Sequence, residues 1–104
     1  MPRKKTMLGS IVASLGPAEA VEFFMTLGAG RHRREMQIEA IHKTRELFVL
    51  KHHLEAVRVL IQVGLKDQAL DAIKRALTAH PDYWDPVNQR LFELQEEALD
   101  LPGR

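Results

Sequence analysis

The chain has 104 residues, of which 45% are hydrophobic and 28% are charged, with a formal net charge of +1 and no cysteine. This balance favours a compact globular domain over a disordered chain, and the lack of cysteine excludes disulfides, thiolate metal sites and cysteine nucleophiles. No segment approaches the about 20 apolar residues that a membrane-spanning helix needs, and the short N-terminal apolar run is too interrupted for a signal peptide. The sequence therefore favours a cytoplasmic protein without membrane contact.

Five helices are predicted in chain order, and no segment has the period-two alternation of a strand. The fold class is therefore all-α, in a single domain over residues 1–104 whose basic arm, residues 1–4, is predicted to be disordered. The first helix covers residues 5–15 and ends at a Gly-Pro pair, which also begins the second helix, residues 17–27, because proline is favoured in a first helical turn. A Gly-Ala-Gly segment ends the second helix.

The third predicted helix is one long central element over residues 33–63, because no glycine or proline interrupts this segment. Its apolar side chains recur at spacings of three and four, with Lys43 as the polar member of the stripe. A helix of this length would span about 46 Å, whereas the radius of gyration of a compact chain of this size is about 13 Å. A bend near Lys51-His52-His53 is the alternative, but the pattern favours a continuous helix.

Gly64 closes the long helix, and the fourth helix covers residues 66–79, before a His-Pro pair that excludes helical geometry. Asp85-Pro86 is typical of an N-cap followed by the first helical position, and it begins the fifth helix, which extends to Leu99. The predicted inward faces of the first, second and fifth helices include Ile11, Leu27 and Val87, respectively.

The segment 54–83 resembles the tetratricopeptide repeat, a helical hairpin with small residues at the helix crossing and a proline after its second helix. The residues that carry the resemblance are Leu60, Gly64, Ala69, Ile73, Ala76 and Pro81. The resemblance implies a tight turn at the glycine and close approach of the two helices at the alanines. His53 and Val57 depart from the pattern, and an ordinary helical hairpin needs the same residue classes. Residues 66–104 are also similar in packing to the helical bacterial transcriptional-activator domain.

No motif indicates an enzyme, a cofactor or a metal site. Glu39-Ala-Ile-His42 has the spacing used in di-iron helical bundles, but those sites need a second such motif and further glutamates. Glu35 and Glu46 lie on neighbouring turns, and a solvated helix face accounts for all four side chains. Neither a phosphate-binding glycine motif nor a nucleophile elbow is present.

Two basic clusters are candidate contacts for an anionic partner, and their members are Arg3, Lys4 and Lys5, then Arg31, Arg33 and Arg34. Such side chains bind the phosphates of a nucleic acid irrespective of its base sequence. The second cluster precedes a helix, where the helix dipole disfavours cations, so an external anion would stabilise it. Against a nucleic-acid partner, the net charge is near zero and no recognition helix is found.

Self-association through the long helix is predicted, because the other four helices cannot cover both of its apolar stripes. The residues expected at this contact are Phe48, Leu50 and Leu54, and a homodimer is the commonest closed arrangement. Charge favours such a pairing, since residues 1–58 carry +4 and residues 59–104 carry −3. Tyr83 and Trp84 either anchor a partner or cap the core, and capping is favoured.

The sequence therefore predicts a small helical protein-interaction or adaptor protein that self-associates, with no cofactor. The alternative is a nucleic-acid-associated regulator that uses the two basic clusters.

Overall fold

The computed structural model describes residues 7–27 and 34–102, which form six helices and no strand. The helices are α1 (Met7–Ala13), α2 (Pro17–Leu27), α3 (Arg34–Val49), α4 (His53–Gln62), α5 (Lys66–Ala79) and α6 (Pro86–Leu99). The all-α prediction is confirmed, and the prediction of five helices is wrong. None of the helices in these two ranges is long and apolar enough to cross a membrane.

Two clusters of buried side chains form the core, and α4 contributes to both. The first cluster consists of Val12, Ala20, Val21, Phe24, Met36, Ala40, Leu47, Ala56, Val59 and Val63. The second cluster consists of Val57, Leu60, Ile61, Ala69, Ala72, Ile73, Ala76, Leu91, Leu94 and Ala98. Helix α4 therefore lies between the two clusters and contacts α2, α3, α5 and α6, although it is only 10 residues long.

The long helix predicted over residues 33–63 is wrong, because the chain turns between α3 and α4. Lys51 adopts the left-handed conformation, with φ 67°. The amide of His52 donates to the carbonyl of Leu47 at 2.8 Å, and the amide of Lys51 donates to the carbonyl of Phe48 at 3.0 Å. These two hydrogen bonds form a Schellman motif, which is common at the C-terminal ends of helices. An unbroken helix of about 46 Å would also exceed the longest dimension of the folded chain, 41 Å.

The same hydrogen-bonding pattern ends α4, this time at a glycine. Gly64 has φ 74°. Its amide donates to the carbonyl of Ile61, and the amide of Leu65 donates to the carbonyl of Leu60, each at a distance of 3.0 Å. Glycine adopts this conformation readily, whereas a residue with a Cβ loses about 1–2 kcal/mol there. The end of α4 was therefore predictable from residue type, and the end of α3 was not.

His53 begins α4 beside the Lys51 turn and is held in its neutral form. Burial lowers the pKa of His53, and the neighbouring charges of Lys51 and His52 lower it further. Its ring contacts that of Phe48, with centroids 4.8 Å apart. A neutral imidazole suits this position, because positive charge is disfavoured at the N-terminus of a helix.

The inward faces are largely as predicted, with three exceptions. Phe24, Leu47 and Leu91 are fully enclosed. In contrast, three side chains that were predicted to face inward are exposed. They are Ile11 at 44%, Leu27 at 52% and Val87 at 43%. The apolar spacing of a helix therefore predicted a wider buried face than its neighbours cover.

The polar member of the predicted long stripe is buried as well. The side chain of Lys43 is 1% exposed, and its Nζ lies 2.8 Å from Oε2 of Glu46, whose side chain is 49% exposed. A buried charge is tolerated when a partner of opposite charge satisfies it. Lys43 can therefore occupy the apolar face of α3, because its ion pair extends towards the surface.

Candidate functional site

A groove with a volume of about 420 Å³ lies between α3 and α5, which each pack against α4. We call this feature the α3–α5 groove, and its lining residues are Ile41, Thr44, Arg45, Phe48, Val49, Leu60, Gln68, Asp71, Ala72 and Arg75. Leu60 and Ala72 are buried members of the second cluster, whereas Arg45, Gln68 and Arg75 are exposed. The groove thus combines an apolar base with a polar rim.

The polar groups of the groove include a buried hydroxyl. Thr44 is 8% exposed, and its Oγ1 makes no hydrogen bond among the described residues. Buried hydroxyl groups in folded proteins nearly always have a partner. On the rim, Nε of Arg75 lies 3.0 Å from Oδ2 of Asp71, and Arg45 adds a second cation. The groove can therefore accept an apolar group at its base, while hydrogen bonds and charge come from the exposed side chains of its rim.

Exposed apolar side chains lie at the end of α3, where Val49 lines the groove and Leu50 is not among its lining residues. Val49 is 79% exposed and Leu50 is 58% exposed. Phe48 is half-buried against both clusters, and Leu54 is half-buried against the second. Of the three residues predicted for self-association, Leu50 is mostly exposed, Phe48 lines the groove, and Leu54 belongs to the margin of the core.

Tyr83 and Trp84 lie in the α5–α6 loop, which we define as residues 80–85. Trp84 is 81% exposed and Tyr83 is 61% exposed. The ring of Tyr83 contacts that of Trp84 with centroids 5.0 Å apart and that of Phe92 with centroids 5.5 Å apart. The favoured interpretation that this pair caps the core is wrong for Trp84, because its side chain projects into solvent.

A set of hydrogen bonds fixes the α5–α6 loop. Oδ1 of Asp82 accepts from the amide of Trp84 at 3.1 Å. Oδ1 of Asp85 caps α6, accepting from the amides of Val87 at 2.8 Å and Asn88 at 3.2 Å, so the predicted N-cap is confirmed. The side-chain amide of Asn88 donates to the carbonyls of His80 at 2.6 Å and Asp82 at 2.7 Å. The loop therefore holds Trp84 on a rigid support.

Asn88→Ala is expected to lower the free energy of unfolding by about 0.5–1.5 kcal/mol, because two loop carbonyls lose their donor and turn to water. Thermal unfolding followed by circular dichroism measures this change. Gln95→Ala on the same helix is the matched control, since Gln95 contacts none of the loop carbonyls in these bonds. Equal losses for the two variants would show that the amide of Asn88 does not stabilise the loop.

The same loop brings together three side chains that resemble a metal-ligand set. One ligand atom from each of His80, Asp82 and Asp85 lies within 4.8 Å of the others. However, one oxygen of each carboxylate accepts backbone amides, and Nε2 of His80 lies 3.4 Å from Oδ2 of Asp85. These bonds account for the cluster as part of the loop structure, and it carries no metal assignment.

The predicted anionic-partner contacts fall mostly outside the described residues. This applies to Arg3, Lys4, Lys5, Arg31 and Arg33. Arg34 begins α3 and is exposed.

The interpretation of the E-x-x-H segment as a solvated face is wrong in part. Glu39 is 7% exposed, whereas His42 is exposed. The two side chains therefore lie in different environments, and they do not form a shared surface site.

Several groove residues were not singled out from the sequence, and they are Thr44, Arg45, Val49, Asp71 and Arg75. Their common property is their position on the edges of α3 and α5 beside the apolar stripe. Such a position becomes a groove only when two helices that are distant in sequence pack on a third.

Comparison of the chain with protein-family models, with curated proteins and with solved structures gives no significant match.

Proposed function

We propose that this protein is a small helical adaptor that binds protein partners, including a second copy of itself, through the α3–α5 groove. The observation that carries the proposal is the combination of an apolar groove of about 420 Å³ with exposed apolar and arginine side chains at its rim. Exposed contiguous apolar surface is typical of interfaces, and arginine is enriched among the residues that dominate binding energy.

The groove suits a protein side chain better than a soluble metabolite. Its charged rim residues, Arg45, Asp71 and Arg75, are exposed and surround an apolar base rather than a set of buried polar groups. Interfaces commonly have this arrangement, with an apolar centre and a polar rim.

The hairpin of α4 and α5 agrees with this proposal. Its turn at Gly64 and its buried Ala69 and Ala76 are the features that support a tetratricopeptide-like hairpin, a resemblance that remains a prediction. A cytoplasmic location and a homodimeric state are parts of the same proposal.

Val49→Glu is expected to weaken self-association about tenfold or more, because it places a charge at the apolar rim of the groove. The fold should persist, since Val49 is 79% exposed. Light scattering after size exclusion measures the mass against 11.9 kDa for one chain, and circular dichroism checks the helix content.

Met25→Glu is the matched control, because Met25 is a 42% exposed apolar residue on α2, outside the groove. It should leave the mass unchanged. A wild-type protein that is monomeric at high micromolar concentration would contradict self-association, and identical behaviour of the two variants would place the contact elsewhere.

A further inference from the structure

We infer that Trp84 of one copy occupies the α3–α5 groove of a second copy. The arrangement is reciprocal, so the α5–α6 loop of each copy docks at the groove of the other. This inference rests on the proposed self-association and names the side chain that fills the groove. It gives each groove a contribution from the partner copy, and it closes the assembly as a two-fold dimer.

Trp84 has the properties of an interface anchor. It is 81% exposed on a loop fixed by hydrogen bonds from Asn88 and to Asp82 and Asp85. A rigid aromatic side chain loses little conformational freedom on binding, and burial of its ring removes about 150–250 Å² of surface from water. Tryptophan is enriched among the residues that dominate interface energies for these reasons.

The groove offers what the indole ring requires. Its base is apolar, with Phe48, Leu60 and Ala72 available to the ring. The indole N–H is a donor with no acceptor capacity, and it needs a partner when buried. Gln68 and Asp71 line the groove and are exposed, so their side-chain oxygens can accept from the indole N–H. Binding of the ring in the groove would therefore leave the indole N–H with a partner.

Charge on the two surfaces is complementary. The loop presents Asp82 and Asp85 beside Trp84, with His80 in contact with Asp85. The groove presents Arg45 and Arg75, with Asp71 paired to Arg75. By formal charge, the two carboxylates of the loop face two arginines and one carboxylate in the groove, which has a net charge of +1. Opposite charges across a contact guide its register and are weakened by salt.

The chain contains one tryptophan, so intrinsic fluorescence reports the environment of Trp84 alone. In the wild-type protein, emission should shift to the blue and acrylamide quenching should fall as concentration rises. Both changes should follow the same midpoint as the increase in mass.

A mixing experiment separates the two surfaces. Trp84→Ala lacks the ring and keeps its groove, whereas Arg45→Glu keeps the ring and places a charge in its own groove that repels the loop. Each variant alone should be monomeric. Addition of Trp84→Ala to Arg45→Glu should shift the emission of the single remaining tryptophan to the blue, because one of the two contacts can form. Addition of the double variant Trp84→Ala/Arg45→Glu should not.

The outcomes distinguish this inference from the proposed function. If the wild-type protein self-associates and Val49→Glu dissociates it, while the emission of Trp84 stays the same at every concentration, the insertion of Trp84 is wrong and the adaptor proposal stands. If the wild-type protein remains monomeric with an accessible Trp84 at high micromolar concentration, both fail.

Discussion

Ala76→Leu is expected to lower the free energy of unfolding by about 1–3 kcal/mol, because the larger side chain overpacks the contact between α4 and α5. Ala76 is 2% exposed and belongs to the second cluster with Val57 and Leu60 of α4. Additional methyl groups at such a position force neighbouring side chains from their preferred rotamers or separate the helices.

Thermal unfolding is the measurement, and about 1 kcal/mol corresponds to about 4–8 °C in a domain of this size. Ala79→Leu is the control, because Ala79 lies one turn further along α5 and is exposed. Its melting temperature should change little. An Ala76→Leu variant that melts with the control would show that α4 and α5 have room at this contact, and it would remove the physical basis of the tetratricopeptide resemblance.

Gly64→Ala and Lys51→Gly should change stability in opposite directions, although both alter the left-handed residue of a Schellman motif. Gly64→Ala introduces a Cβ at φ 74° and should lower the free energy of unfolding by about 1–2 kcal/mol. Lys51→Gly removes a Cβ at φ 67°, and the relief exceeds the added chain entropy of glycine, so a gain of up to about 1 kcal/mol is expected.

Urea denaturation measures both variants, and an unchanged m value would show that the same surface is exposed on unfolding. A loss of stability in Lys51→Gly would mean that the lysine side chain stabilises the fold by more than its left-handed backbone conformation destabilises it. In that case, the favourable interaction of the Lys51 charge with the C-terminal end of α3 would be the first contribution to test.

The sequence predicted most helix ends because they coincide with glycine or proline. Asp85-Pro86 is the clearest case, since the carboxylate caps the helix and the proline occupies its first position. The end of α3 was missed because a lysine occupies the left-handed position, and the apolar spacing continues through the turn. Periodicity reports which side chains are buried, and a change of direction between two buried segments can leave it intact.

The candidate site was less predictable than the fold, and the reason is its tertiary origin. Trp84 could be found from the sequence, but its exposure could not, because a loop aromatic either folds back or projects. The α3–α5 groove depends on the angle at which two helices meet α4, which no local pattern encodes. Thr44 illustrates this limit, since a threonine on a helix gives no sign that packing will bury its hydroxyl group.

The position of α4 between the two clusters has a consequence for cooperativity. Its ten residues supply Ala56 and Val59 to the first cluster and Val57, Leu60 and Ile61 to the second. Detachment of either set of neighbouring helices would expose one side of α4 to water and remove the support for the other side. Within residues 7–27 and 34–102, we therefore expect no internal boundary along which the molecule could open in halves, and a loss of packing energy in one cluster should also destabilise the other.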